Sequence, residues 1–295
     1  MFNRRQAPQN EEIAKLVPDF SDIEFLSEGG QKFVYTGSKD NEKYAIKLIP
    51  LYEEYGEDIK NTILKRAQRE FTIMERVNSP FFIKTGPTTP SIATIDNHEY
   101  FFYSECFVEG KDLMDLIKDR NFSVEETIRL GLQVSSVIQL FWDHQYIHRD
   151  IKPNNIMLKD DGNFILLDAG VAFDLNDVSL TMGHQQPGTK MYMSPEQLAQ
   201  SGREIDFRSD LFSLGVVLYE VLTQQHPFVD HSRNHTQNIA AILSSQAIGV
   251  ENFRNDVPKS LSKLIVTRLL AKRPHLRYRK CELLLKELNK IREEI

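Results

Sequence analysis

The sequence changes from strand patterns to helix patterns near Gly110, and this change limits the folds open to the chain. Residues 23–107 contain short runs rich in β-branched and aromatic residues, separated by turn residues. After Gly110 most apolar residues recur with the period of an amphipathic helix, and only NIMLK and FILLD read as short strands. The pattern predicts an α+β protein with a small β-rich N-terminal lobe and a larger helical C-terminal lobe.

The N-terminal lobe is predicted to contain two hairpins and one main helix. Turn residues Lys39 to Glu42 separate the first pair of strands, and Asp96 and Asn97 separate the second. Between the hairpins, residues 58–77 have a helical period that ends before Asn78. The predicted buried face of this helix consists of Ile59, Ile63, Ala67, Phe71 and Met74.

The second lobe is predicted to be mostly helical. Ser123 and Glu126 have the spacing of a capping box at the start of one helix. Further helices are expected near 210–223, 259–270 and 281–293. A cleft between two lobes is a common place for a small-molecule site, and the hinge is predicted near residues 105–110.

Composition excludes several classes of protein. A chain of 295 residues with 41% hydrophobic and 26% charged residues is typical of a globular protein with a substantial core. The net charge of −6 provides no basic field, so we expect neither a nucleic-acid partner nor a membrane partner. Cys106 and Cys281 have no neighbours at metal-ligand spacing, which favours free thiols in a reducing compartment.

The N-terminus lacks the features of a targeting segment. Residues 1–18 are polar and contain no apolar core of signal-peptide length, so we expect a leader of uncertain order and a cytoplasmic location.

The segment HRDIKPNN, at residues 148–155, carries the strongest chemical signal. It resembles the catalytic loop of eukaryotic-type (Hanks-type) serine/threonine protein kinases, in which an Asn follows the Asp of His-Arg-Asp by five positions. Asp150 and Asn155 fit that spacing, and Lys152 is typical of the serine/threonine-specific form. The resemblance implies the two-lobed protein-kinase fold, with an N-lobe over residues 19–108 and a C-lobe over 109–295.

The resemblance also implies the chemistry. Phosphoryl transfer requires a carboxylate that orients the attacking hydroxyl and cations that neutralise the triphosphate. Asp150 would be the catalytic base, and Lys152 would contact the transferred phosphate. Asn155 and Asp168 would be the ligands of Mg²⁺, a hard cation that prefers oxygen. The expected substrates are therefore ATP and a protein hydroxyl.

Matching residues occur in the N-lobe. Lys47 ends a predicted strand in YAIK, and Glu70 lies within the predicted helix. They resemble the ion pair with which the family orients the α- and β-phosphates. The resemblance adds Ala45, Cys106 and Met157 to the nucleotide site. Because SECFVEG contains one extra residue relative to the family, either Ser104 or Glu105 lies at the rear of that site.

The glycine-rich loop departs from the family pattern. LSEGGQKFVY places Ser27, Gly29 and Lys32 at the three glycine positions and Val34 after them, and Gly30 adds backbone freedom beside them. Lys32 would either strain the hairpin or contact phosphate. We expect this departure from the family pattern to affect the affinity of the site for nucleotide.

The segment GTKMYMSPEQ resembles the end of a kinase activation segment and places Thr189 in the substrate-binding stretch. Within the family, Glu196 would pair with Arg277 and Asp210 would brace the catalytic loop. We expect activation by phosphorylation at Thr181, with Ser179 second, because Arg149 can pair with a phosphate on this segment. The resemblance thus implies an autophosphorylating enzyme, and it leaves the oligomeric state open.

Two alternatives remain. Ala169 in LLDAG and the departure in the glycine-rich loop favour a catalytically impaired pseudokinase scaffold. The joint presence of Lys47, Glu70, Asp150, Asn155 and Asp168 argues against that alternative. The second alternative is a small-molecule phosphotransferase, a class that usually lacks the catalytic-loop lysine and the activation segment.

Overall fold

The computed structural model describes residues 6–29, 32–169, 173–174, 189–199 and 205–295. The chain divides into two compact units. The first contains the described residues up to Asn78 together with Ile83–Val108, and the second contains Ser79–Phe82 and Glu109–Ile295. The first unit is built on a sheet and the second is mainly helical, so the predicted α+β class is confirmed.

The first unit contains an antiparallel sheet with the strand order β1-β2-β3-β5-β4. The strands are β1 Ser21–Gly29, β2 Lys32–Lys39, β3 Glu42–Pro50, β4 Ser91–Ile95 and β5 His98–Cys106. Asp40 and Asn41 have φ angles of 53° and 65°, and Asp96 and Asn97 have φ angles of 45° and 64°. Left-handed backbone at both central residues is what a type I′ hairpin turn requires, and Asp and Asn tolerate it. Both predicted hairpins are therefore confirmed.

The main helix of the first unit is α2, Gly56–Arg76. As predicted, Ile63, Ala67, Phe71 and Met74 are buried. Ile59, however, is 54% exposed, so its assignment to the buried face was wrong. The helix begins at Gly56, and its first turn extends beyond the packed surface.

A short helix, α1 at Asn10–Leu16, precedes the sheet within the segment predicted as a leader. Ile13 and Val17 are 0% and 4% exposed and belong to one apolar cluster with side chains of the sheet. The hydroxyl of Tyr35 donates to the backbone oxygen of Pro8 at 2.5 Å. These contacts make α1 part of the core on one face of the sheet.

The second unit is built around α4, Val124–Asp143, and α6, Phe207–Thr223, which contact each other. The other α-helices in the described part of this unit are α3 Leu113–Asp119, α5 Pro195–Leu198, α7 His235–Ser244, α8 Lys259–Lys263 and α9 Cys281–Glu293. The hydroxyl of Ser123 accepts the N–H of Glu126 at 3.1 Å, so the predicted capping box is confirmed. The predicted helix at 259–270 is present as α8 followed by a π-helix at Leu264–Leu269.

Short strands complete the second unit. They are β6 Lys111–Asp112, β7 Tyr146–Ile147, β8 Ile156–Leu158, β9 Phe164–Leu166 and β10 Phe173–Asp174. Strands β6, β8 and β9 form one sheet, and β7 pairs with β10. Among the residues that the structure describes, no helix is both long enough and apolar enough to cross a membrane.

The packing of α1 predicts a difference between two isoleucines of the first unit. Ile13 is fully buried, whereas Ile92 is 53% exposed. We expect Ile13→Ala to lower the free energy of unfolding by about 2–5 kcal/mol, because it leaves a cavity between α1 and the sheet. Ile92→Ala is the matched control and should change it by less than about 0.5 kcal/mol. Equal effects in urea denaturation would show that α1 is not part of the core.

Candidate active site

The backbone of the segment after β7 is held by one buried carboxylate. Asp210, in the first turn of α6, accepts the N–H of His148 through Oδ2 and the N–H of Arg149 through Oδ1, both at 2.8 Å. Arg149 has a φ of 69°, a left-handed conformation that a long side chain rarely adopts. Burial raises the pKa of Asp210 to about 7, and the two N–H donors oppose that shift. The predicted bracing of this loop by Asp210 is therefore confirmed.

Asp150, Lys152 and Asn155 form one hydrogen-bonded cluster. The ammonium of Lys152 lies 3.1 Å and 2.9 Å from the two carboxylate oxygens of Asp150. The amide nitrogen of Asn155 donates to the backbone oxygen of Asp150 at 2.8 Å and to its Oδ2 at 2.9 Å. Burial raises the pKa of Asp150, and Lys152 opposes this by favouring the charged form. The carboxylate thus has a fixed direction and a cation beside it.

Asp168 lies beside this cluster because β8 and β9 are paired. Ile156 is opposite Leu166, and the N–H of Leu167 donates to the backbone oxygen of Asn155 at 2.7 Å. The charge of Asp168 raises the pKa of Asp150, which reflects their proximity. Since the amide nitrogen of Asn155 is bound to Asp150, its Oδ1 is the atom left for a cation. A carboxylate and an amide oxygen are ligands that suit Mg²⁺.

A second set of contacts supports the same loop from α5. The guanidinium of Arg277 binds the carboxylate of Glu196 at 2.6 Å and 2.9 Å, so the predicted pair is confirmed. Both side chains are almost fully buried. Gln197 donates from Nε2 to the backbone oxygen of Arg149 at 3.2 Å. Sequence reasoning missed Gln197, although its spacing from Ser194 marks a capping box.

In the first unit, Lys47 contacts two carboxylates. Its ammonium lies 3.3 Å from Oε1 of Glu70, as predicted, and 2.7 Å from Oε2 of Glu105. The β3–β5 register explains the second contact, because Glu105 is opposite Ala45 and so shares the face of Lys47. Ser104 lies on the other face, where its hydroxyl accepts the N–H of Thr88 at 2.8 Å. Sequence reasoning left these two residues as alternatives, and only Glu105 faces the lysine.

The glycine-rich segment forms the β1–β2 hairpin. Gly29 is opposite Lys32, and Ser27 is opposite Val34. A Cβ atom at Gly29 would meet no atom of the described residues within 4 Å, so no close contact among them requires glycine there. The ammonium of Lys32 lies 2.8 Å and 2.7 Å from the two carboxylate oxygens of Glu70. Sequence analysis did not predict this ion pair, and Gly30 lies outside the described residues.

The other predicted site residues are distributed between the two units. Ala45 is buried in β3, and Cys106 is a half-buried free thiol at the end of β5, where burial raises its pKa. Met157, partly buried in β8, belongs to the second unit. Thr189 begins a 3₁₀ turn at Thr189–Tyr192. The proposed regulatory residues Ser179 and Thr181 fall outside the described part of the chain.

Comparison with known families is decisive. A model of the protein kinase domain matches residues 20–288. The chain belongs to the protein kinase domain family. The resemblance to Hanks-type serine/threonine kinases is thereby confirmed, and the two compact units correspond to the kinase N-lobe and C-lobe.

Curated relatives of this chain are named as serine/threonine-protein kinases. A probable serine/threonine-protein kinase of Clostridium perfringens is 29% identical over 92% of this chain and 38% of its own length. The serine/threonine-protein kinase PrkC of Bacillus subtilis is 28% identical over 88% of the chain and 38% of its own length. A probable serine/threonine-protein kinase PknB of Bifidobacterium longum is 32% identical over 68% and 30%. The chain therefore spans well under half the length of these relatives.

Two histidines of the C-lobe, the buried His148 and the half-buried His226, predict how stability depends on pH. Burial lowers the pKa of both His148 and His226 from 6.5 to about 4. In each ring Nδ1 accepts a backbone N–H, at 3.4 Å from Asp150 and 3.1 Å from Phe228, so protonation there would remove an acceptor. Between these pKa values each of these two histidines binds more protons in the unfolded chain than in the folded protein. Their contribution to stability should therefore fall as the pH falls from 6.5 to about 4, whereas Asp210, whose pKa is raised, contributes in the opposite direction.

Each histidine should contribute a slope of at most about 1.4 kcal/mol per pH unit in that window. We expect His226→Gln to reduce the slope of unfolding free energy against pH by one such contribution. His231→Gln removes an exposed histidine and is the control. The same slope in His226→Gln and in the unsubstituted protein would contradict the assignment.

Proposed function

We propose that the chain is an ATP- and Mg²⁺-dependent serine/threonine protein kinase. The observation that carries this proposal is the direction of the Asp150 carboxylate, fixed between Lys152 and Asn155 on a loop held by Asp210. Such a carboxylate can orient a hydroxyl for in-line attack on phosphorus and accept its proton.

Lys152 supports this role in two ways. Burial raises the pKa of Asp150, and the ammonium of Lys152 opposes this by favouring the ionised form that a base requires. It also supplies positive charge where a transferred phosphoryl group would accumulate negative charge. The pairing with Asp150 holds that ammonium within the cluster.

Asn155 and Asp168 are the residues proposed to hold Mg²⁺. Bound magnesium supplies charge neutralisation of the phosphate oxygens and orients them for displacement. Asp168 has a φ of 55°, a left-handed conformation that aspartate tolerates better than most residues. Pairing of β8 with β9 and the bond from Leu167 to Asn155 hold both oxygen donors on neighbouring backbone.

Lys47 and Glu70 are proposed to position the nucleotide phosphates from the N-lobe. Lys47 is only 7% exposed, and the adjacent Glu70 is 1% exposed, so the ammonium is held by buried charge on α2. Ser27, Gly29 and Val34 of the hairpin, with Ala45, Cys106 and Met157, are proposed to contribute to the nucleotide site.

The two alternatives have less support. A pseudokinase would be expected to lack one of the catalytic or metal-binding groups, whereas Asp150, Asn155 and Asp168 are all present and ordered by hydrogen bonds or strand pairing. A small-molecule phosphotransferase is disfavoured by Lys152 and by the names of the relatives.

The proposed partners are ATP and a protein substrate, without nucleic acid or membrane. A cytoplasmic location remains part of the proposal. The net charge of −6 supports the expectation of no nucleic-acid or membrane partner. The two free thiols support a cytoplasmic location.

The proposal is tested by Asp150→Asn. We expect transfer from radiolabelled ATP to a generic protein substrate to fall by about 10²- to 10⁴-fold, because the hydroxyl loses its base. ATP binding measured by calorimetry should be nearly unchanged, since this side chain contacts the hydroxyl and not the triphosphate. Asp160→Asn, an exposed neighbour, is the control. Full activity of Asp150→Asn, or label on residues other than serine and threonine, would contradict the proposal.

We further propose activation by autophosphorylation at Thr181, with Ser179 as a secondary site, read by Arg149. After incubation with ATP and Mg²⁺, mass spectrometry should find phosphate on Thr181, and Thr181→Ala should lower activity. Protein carrying Asp150→Asn is the control that should remain unmodified. Detection of phosphate on neither Thr181 nor Ser179 would rule out this mode of regulation.

A further inference from the structure

Four charged side chains of the N-lobe form a continuous chain of ion pairs. Lys32 binds both carboxylate oxygens of Glu70, Glu70 contacts Lys47 at 3.3 Å, and Lys47 contacts Glu105 at 2.7 Å. The side chains of Glu70, Lys47 and Glu105 are 2%, 9% and 9% exposed, and that of Lys32 is 21% exposed. Three of these four side chains are therefore almost fully buried, and an unbalanced charge costs the most free energy in such surroundings.

Lys47 and Glu70 are the expected lysine–glutamate pair. The other two residues, Lys32 and Glu105, carry opposite charges. Glu105 adds a negative charge to the pair, and Lys32, at a glycine position of the family pattern, adds a positive one. Burial raises the pKa of Glu105, while Lys47 and, more weakly, Lys32 favour its charged form. Among these four side chains two positive charges match two negative charges, and replacement of Lys32 by a neutral residue would remove one of the positive charges.

The contact with Glu105 has a consequence for Lys47. Its ammonium is closer to Glu105, at 2.7 Å, than to Glu70, at 3.3 Å. A carboxylate at this distance provides the same kind of interaction that a phosphate oxygen would provide. A nucleotide phosphate that binds Lys47 must therefore compete with an anion already beside it and is repelled by that anion.

We propose that Glu105 is a positioning residue that holds Lys47 in competition with nucleotide phosphate, and that Lys32 supplies its balancing charge. This inference rests on the proposed role of Lys47 in ATP binding. Affinity for Mg²⁺·ATP is then lower than the same site would have with a neutral side chain at position 105. The two departures from the family pattern, in the glycine-rich loop and at the end of β5, act as one matched pair.

The first test is Glu105→Gln, which removes the charge and keeps the shape. We expect the Kd for Mg²⁺·ATP by calorimetry to fall about three- to tenfold, the range of a coupling between charges in direct contact. The KM for ATP should fall by a similar factor while kcat changes little, because an interaction with bound ATP is altered in the ground state and transition state alike. Glu99→Gln, on the exposed part of the same strand, should change neither quantity.

A double-variant cycle tests the matched charge. Lys32→Met alone leaves two carboxylates against Lys47 and should lower the melting temperature clearly. The same substitution combined with Glu105→Gln should lower it much less, since the remaining Lys47–Glu70 pair is neutral. If Glu105→Gln alone does not fold, the double variant, which restores neutrality, supplies the ATP-binding measurement. If neither folds, Glu105 is required for structure and the proposal is overturned.

Lys47→Met separates failure of this inference from failure of the proposed function. If it leaves ATP affinity unchanged, Lys47 does not bind phosphate and both ideas are overturned. If it weakens ATP binding while Glu105→Gln leaves affinity unaltered, only the role of Glu105 is overturned. Equal effects of Lys32→Met with and without Glu105→Gln would remove the charge-balancing role of Lys32.

Discussion

The geometry of the loop proposed to be catalytic, residues 148–155, depends on the carboxylate of Asp210. Left-handed backbone at Arg149, with a φ of 69°, costs about 1–2 kcal/mol for a residue with a Cβ atom. Two short N–H donations to one buried carboxylate offset that cost and fix the chain direction just before Asp150. The side chains of Asp150, Lys152 and Asn155 can then meet within hydrogen-bonding distance. A core helix, α6, thus determines where the side chains proposed to act in catalysis lie.

The two lobes balance charge differently, and the difference fits their proposed roles. In the C-lobe the carboxyl groups of Asp150 and Asp168 lie near each other, and carboxylate oxygens suit a hard cation. In the N-lobe the four charges of Lys32, Glu70, Lys47 and Glu105 sum to zero. Under the proposal above, a phosphate that binds Lys47 would have to compete there with Glu105.

Sequence reasoning succeeded where the signal was local. Hairpin turns, the capping box at Ser123 and the HRDIKPNN motif that indicated the family are each encoded within a few residues. It failed for α1, because a seven-residue helix is too short to show a clear period. The contact of Glu105 with Lys47 depends on the register of β3 with β5, which no local pattern specifies. The π-helix after α8 was likewise invisible, because it alters hydrogen bonding and not residue type.

The alanine of LLDAG illustrates how backbone can preserve chemistry when a side chain changes. Ala169 is 2% exposed, so the position is buried in this chain with only a methyl group. The backbone at Asp168 is left-handed, and the preceding strand is fixed by the pairing of Leu166 with Ile156. Neither contact involves the side chain at 169. A substitution there can alter hydrophobic packing without displacing the carboxylate proposed to bind magnesium, which is why Ala169 is weak support for an inactive scaffold.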